Sequence, residues 1–105
     1  MGGSGSGGWT PTPASNPCHT LSFRSAVNSP QPPLLAKLKV GSVLKVRLQT
    51  SPQTAVVLEH KAKTVGALTG PKVARLINCL QNGYTFEAEV LSVAGGECEV
   101  EVRPE

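Results

Sequence analysis

Residues 64–84 read Thr64-Val65-Gly66-Ala67-Leu68-Thr69-Gly70-Pro71-Lys72-Val73-Ala74-Arg75-Leu76-Ile77-Asn78-Cys79-Leu80-Gln81-Asn82-Gly83-Tyr84. They spell a short strand, a turn, one helix over about 71–82 and the entry into another strand. Pro71 suits the first helical position, where its missing N–H would have been unpaired, and Thr69 or Gly70 is placed to cap. Gly83 is placed to take the left-handed conformation that ends a helix. Between these signals Val73, Leu76, Ile77 and Leu80 form one apolar stripe at i, i+3, i+4 and i+7. A helix with one apolar face cannot stand alone, so strands on either side must cover it.

Working outward, the strands are legible by their period of two. Leu44, Val46 and Leu48 alternate with Lys45, Arg47 and Gln49, with Val43 as the misfit. Leu21 and Phe23 make a short first strand, with Arg24 on its opposite face. Ala55 to Leu58 is a nearly continuous apolar strand, and His60-Lys61-Ala62-Lys63 is a hairpin loop leading into Thr64–Leu68. After the helix, Tyr84, Phe86, Ala88 and Val90 share a face. Leu91 and Val93 then break parity, as a bulge or a strand end buried on both sides would make them. Gly95-Gly96 is a tight-turn dipeptide, and Cys98, Val100 and Val102 alternate with Glu99, Glu101 and Arg103. Asn28-Ser29-Pro30-Gln31-Pro32-Pro33 reads as a break in regular structure. The order β-β-β-β-α-β-β predicts a mainly β domain. It is a small, partly open barrel of the SH3 or OB kind, with five or six strands and one helix before the last two.

Residues 1–17 are a Gly/Ser tract followed by a Pro/Thr/Ser tract, which cannot bury enough apolar surface to order itself. They read as a flexible tail, leaving 18–105 as the single domain. Trp9 is the one aromatic of the tail, and it could dock on the domain, a partner or a base. No apolar run approaches the ~18 residues that span a bilayer. No leader pattern is present, so a cytoplasmic, non-membrane protein is expected. Three widely separated cysteines, Cys18, Cys79 and Cys98, argue against a disulfide framework and for a reducing compartment. Cys79 and Cys98 read as small core residues.

Catalytic constellations are missing. The chain has no Asp, so an Asp-supported triad or Asp metal site is excluded. Glu87, Glu89, Glu99 and Glu101 point outward on strands, where solvated carboxylates have no cleft to divide acid from base roles. Gly66-x-x-x-Gly70-Pro71-Lys72 lacks the Gly-Lys-Ser/Thr ending of a phosphate loop. No cofactor and no metal are expected, and the chain reads as a binding module rather than an enzyme.

Charge is unevenly distributed. Residues 1–75 carry nine Lys/Arg and one Glu, and residues 76–105 carry one Arg and six Glu. This predicts two faces of opposite sign. Lys45, Arg47, His60, Lys61, Lys63, Lys72 and Arg75 are the candidates for phosphate contact with DNA. Glu87, Glu89, Glu99 and Glu101, with Trp9, are the candidates for docking a protein partner. Tyr84 and Phe86 are the other aromatics available for base stacking, though their alternation points to the core.

A resemblance rests on several of these stretches together. Val40-Gly41-Ser42-Val43-Leu44-Lys45-Val46 is followed by Ala55-Val56-Val57-Leu58, Val65-Gly66-Ala67-Leu68, Val73-Ala74-Arg75-Leu76-Ile77 and Asn82-Gly83. In order and spacing this resembles the HIRAN domain over about residues 38–103. The chain has Thr50-Ser51-Pro52-Gln53-Thr54 where that family has Asn-Pro-x-Asp, and Ala67 where it has Tyr. The resemblance implies an OB-like barrel that binds DNA, especially exposed single-stranded 3′ ends, often attached to helicases or nucleases. With its Gly-rich start and Ser29-Pro30-Gln31-Pro32 turn, the chain also resembles short bacterial proteins. That likeness implies a small accessory protein, encoded beside mobile-element or defence genes.

Overall fold

The computed structural model describes residues 17–105. Six strands are formed: β1 (Phe23–Ala26), β2 (Val43–Gln49), β3 (Ala55–His60), β4 (Lys63–Leu68), β5 (Phe86–Ala94) and β6 (Glu97–Pro104). They lie in one antiparallel sheet in the order β1-β6-β5-β2-β3-β4. Two helices complete the fold, α1 (Pro32–Leu35) and α2 (Val73–Gln81). The protein is mainly β, as its alternation predicts, and α2 precedes the last two strands.

The sheet curls until its two edge strands meet. Beyond β1 the chain continues to Asn28, whose N–H donates to the Ala67 carbonyl at 2.7 Å, while the Ala67 N–H donates back at 3.0 Å. The Gln31 N–H then bonds to the Val65 carbonyl at 2.9 Å. Gly66 lies at this crossing. A Cβ built there would collide with Val27 Cγ1 and lie 2.8 Å from the Asn28 carbonyl oxygen. Only the absence of a side chain lets the two backbones approach. Among the described residues this is the one bridge between the edges, so the barrel stays partly open.

Inside, the predicted faces hold. Leu44 and Val46 are buried, Lys45 and Arg47 exposed, and the misfit Val43 lies outside. Phe86, Ala88 and Val90 face Val100 and Val102 in one apolar cluster with Leu58, Val56 and Leu76. The parity break in β5 is a bulge, since the register with β6 shifts between Val90 and Ser92. From α2, Val73, Leu76 and Cys79 are buried and Ile77 and Leu80 pack beside them.

Three expectations need correction. The Pro-rich 28–33 stretch is not wholly irregular. Pro32 starts the one-turn helix α1, because a proline in a first turn loses no intrahelical bond, and Leu35 plugs the core. The start of α2 is also different. Lys72 is its N-cap with no side-chain bond, Pro71 precedes the helix, and the Thr69 hydroxyl instead accepts from Asn28 Nδ2. Gly83 behaves as predicted, with φ +91° and its N–H on the Leu80 carbonyl.

The third correction concerns the cysteines. Cys18 and Cys79 form a disulfide, leaving Cys98 as the buried free thiol. Cys18 sits in a 3-10 turn, Pro17–His19, just before β1. The bond therefore ties the segment before β1 to α2.

The β3–β4 hairpin turns on Lys61 and Ala62, both with positive φ (53° and 67°). Such a turn favours Asn-Gly, and a Cβ in the left-handed region costs about 1 kcal/mol. Ala62→Gly is therefore expected to stabilise the domain by roughly 0.5 kcal/mol, part of the relief being offset by extra unfolded-state freedom. A urea midpoint that falls instead of rising would refute the strain.

Candidate functional site

The outer wall is a lattice of opposite charges. Across it Arg103 (β6), Glu87 (β5), Lys45 (β2) and Glu59 (β3) are successive cross-strand neighbours. In the adjacent row Arg24 (β1), Glu101 (β6) and Glu89 (β5) follow one another. Arg103 donates from Nε to Glu87 at 2.8 Å and from Nη1 to Glu89. These bonds, Glu89 first and Glu87 second, push the guanidinium above its ordinary pKa. Arg47 lies 3.3 Å from Glu59. The expected pair of oppositely charged faces is therefore not formed. Acidic β5, whose other neighbour is acidic β6, pairs directly with basic β2, so the early and late parts of the chain meet edge to edge on one wall.

The sequence-derived candidates are accordingly dispersed. Lys45 and Arg47 stand among Glu59 and Glu87. His60, Lys61 and Lys63 occupy the β3–β4 tip, which the six residues of β4, about 20 Å, separate from the turn into α2. Glu87 and Glu89 are held by Arg103, and Glu101 is half-buried beside them. Glu99 is exposed and borders, with Glu97, a cleft of about 510 Å³. Phe86 is in the core. Trp9 lies outside the described residues.

Lys72 and Arg75 are placed differently. Both are exposed at one end of the barrel, where α2 lies between two clefts. The first, of about 240 Å³, is bordered by Arg24, Ser25, Thr69 and Lys72. The second, of about 640 Å³, is bordered by Arg75, Asn78, Asn82, Tyr84 and the disulfide. Among the described residues, Arg24, Lys72 and Arg75 have no ion-pair partner. This end of the barrel therefore presents three exposed cations outside any ion pair around one helix, with Glu101 the cross-strand neighbour of Arg24. No family model, no curated protein and no solved structure matches the chain.

Arg24 escaped the sequence reading as a site residue, and Tyr84 entered it only as a stacking candidate whose alternation points to the core. Arg24 was visible on the outer face of the first strand, but no local pattern places that strand beside the turn before α2. Tyr84 shares the parity of Phe86, yet it is half-buried and faces the second cleft because it precedes the first residue of β5. Among the described residues no group of three His, Cys, Asp or Glu is placed to hold a metal ion. No helix among them is long and apolar enough to cross a membrane.

Proposed function

We propose that the chain is a non-catalytic nucleic-acid-binding module that takes single-stranded or end-containing DNA and serves a larger machine. The observation that carries this reading is the set of Arg24, Lys72 and Arg75 around α2, exposed, bordering two clefts and outside the ion pairs found among the described residues, although Arg24 also faces Glu101 across the strand pair. Cations already paired on the wall have little to gain from a phosphate. Unpaired cations bordering a groove gain by releasing the counterions of the strand. The HIRAN-like order of motifs agrees with this assignment. His60, Lys61 and Lys63 supply a second, separate basic tip for a longer strand.

Binding of a labelled single-stranded oligonucleotide across a salt series tests the reading. Arg24→Gln combined with Lys72→Gln is expected to weaken binding at least tenfold. It should also flatten the salt slope by about 1.4, two contacts at roughly 0.7 each. Lys45→Gln with Arg47→Gln is expected to do much less, because Glu59 and Glu87 already neutralise that wall. No binding of single-stranded, duplex or 3′-tailed DNA at low salt would overturn the proposal.

A second reading is an adaptor subunit of a bacterial multi-protein complex, in a defence or mobile-element system. It is favoured by Val40 and Val43, 70% and 49% exposed, near the start of β2. A cytoplasmic address fits either reading, but the disulfide removes the argument from reduced cysteines that supported it.

A further inference from the structure

The cleft on the far side of α2 has a different chemistry from the Arg24–Lys72 groove. Its floor and walls combine a guanidinium (Arg75), two side-chain amides (Asn78 and Asn82) and an aromatic ring (Tyr84), next to the Cys18–Cys79 bond. The amides are held in register along the helix. Asn82 Nδ2 donates to the Asn78 carbonyl oxygen at 2.8 Å and to Asn78 Oδ1 at 2.9 Å. The ring is also held. His19 packs against Tyr84 at right angles, with centroids 5.2 Å apart, and the Tyr84 N–H donates to the Cys79 carbonyl at 3.1 Å. His19 follows Cys18 in the chain, so the disulfide anchors both residues that orient the ring.

We infer that this cleft is a nucleobase site. One base of a bound single strand stacks on Tyr84, the amides of Asn78 and Asn82 meet its polar edge, and Arg75 takes the adjoining phosphate. His19 is a positioning residue that keeps the ring upright. The inference rests on the nucleic-acid reading and adds to it a second subsite. Lys72, Arg75, Asn78 and Asn82 recur along the exposed side of α2, a run of about 15 Å. That is the length of roughly four stacked nucleotides at about 3.4 Å each. A strand whose phosphates enter at Arg24 and Lys72 thus reaches Tyr84 without leaving the helix. The volume of about 640 Å³ leaves room for a base and its sugar.

The test compares a ten-nucleotide thymidine oligomer with an abasic deoxyribose-phosphate oligomer of the same length, binding to the oxidised full chain. The base-containing strand is expected to bind about tenfold more tightly. Only this strand should shift the side-chain amide resonances of Asn78 and Asn82. Tyr84→Leu is expected to erase the difference while leaving abasic affinity unchanged. His19→Ala, at an exposed position that threatens the fold less, is expected to reduce it severalfold. Reductant should narrow the difference, since it frees the segment that carries His19, and by loosening α2 it should also lower the abasic affinity somewhat. Equal, salt-dependent affinity for the two oligomers would overturn the base site and leave the nucleic-acid module standing. Binding of neither would overturn both.

Discussion

Reducing the Cys18–Cys79 bond is expected to cost the domain about 4 kcal/mol of stability. The two cysteines are 61 residues apart in sequence, and the chain entropy released to the unfolded state by opening a loop of that size is of this magnitude. A domain this small has a total stability on the order of 5–10 kcal/mol, so the loss is a large share of it. The effect should be concentrated where the bond acts, at the 17–22 segment and α2, because α2 is otherwise held mainly by its contacts to the sheet through Val73, Leu76, Ile77 and Leu80. Urea unfolding with and without a phosphine reductant measures it. A Cys18→Ser/Cys79→Ser variant should match the reduced protein and show no further response to reductant. Thiol counting gives an independent check. The native protein should react slowly, the unfolded oxidised protein should show one thiol, Cys98, and the unfolded reduced protein three. Superimposable unfolding curves in the two redox states would show that the bond adds no stability.

Cys98 also sets an alkaline limit. Burial pushes its thiol above the ordinary cysteine value. The folded state therefore resists an ionisation that the unfolded state accepts. That contribution is whole below the unfolded value near 8.5 and declines as pH rises from there through the folded value. Cys98→Ser is not a neutral control, since it buries a hydroxyl; Cys98→Ala, which ionises nowhere, should flatten the alkaline decline.

Gly66→Ala is the substitution with the next largest expected effect, a loss of about 3 kcal/mol. The new methyl would meet Val27 Cγ1 and, at 2.8 Å, the Asn28 carbonyl oxygen. The first obstacle is a side chain and can rotate. The second is backbone, and it can retreat only by breaking the paired Asn28–Ala67 bonds that close the barrel. The expected signature is therefore local as well as global, with exchange protection lost at the amides of Asn28 and Ala67 before the rest of the sheet. A loss below about 0.5 kcal/mol would mean that the edges separate easily and that the seam contributes little.

Most of the sheet could be read from the chain because period-two burial is a local signal. Leu44 and Val46 against Lys45 and Arg47, and Cys98, Val100 and Val102 against Glu97 and Glu99, report their faces without reference to any other strand. The break at Leu91 was legible for the same reason. The α2 stripe and its Gly83 stop are equally local. The helix start was misplaced because Pro71 and Thr69 fit a cap by residue type, whereas Thr69 is drawn away by Asn28, which lies 41 positions distant in sequence.

The site was the less legible part. Lys45 and Arg47 look like a free basic face until the order β6-β5-β2-β3 sets Glu87 and Glu59 on either side of them. Arg24 looks like an ordinary exterior residue until the sheet curls and brings β1 to the turn before α2. The alternating residues, the single amphipathic helix and the glycine stops were determined by the chain itself, because each depends on neighbours within a few positions. The disulfide partners, the seam at Gly66, the neutralised wall and the cations left unpaired around α2 were decided only by the tertiary structure. Each is a relation between residues far apart in sequence, and no local periodicity encodes which strand will lie beside which.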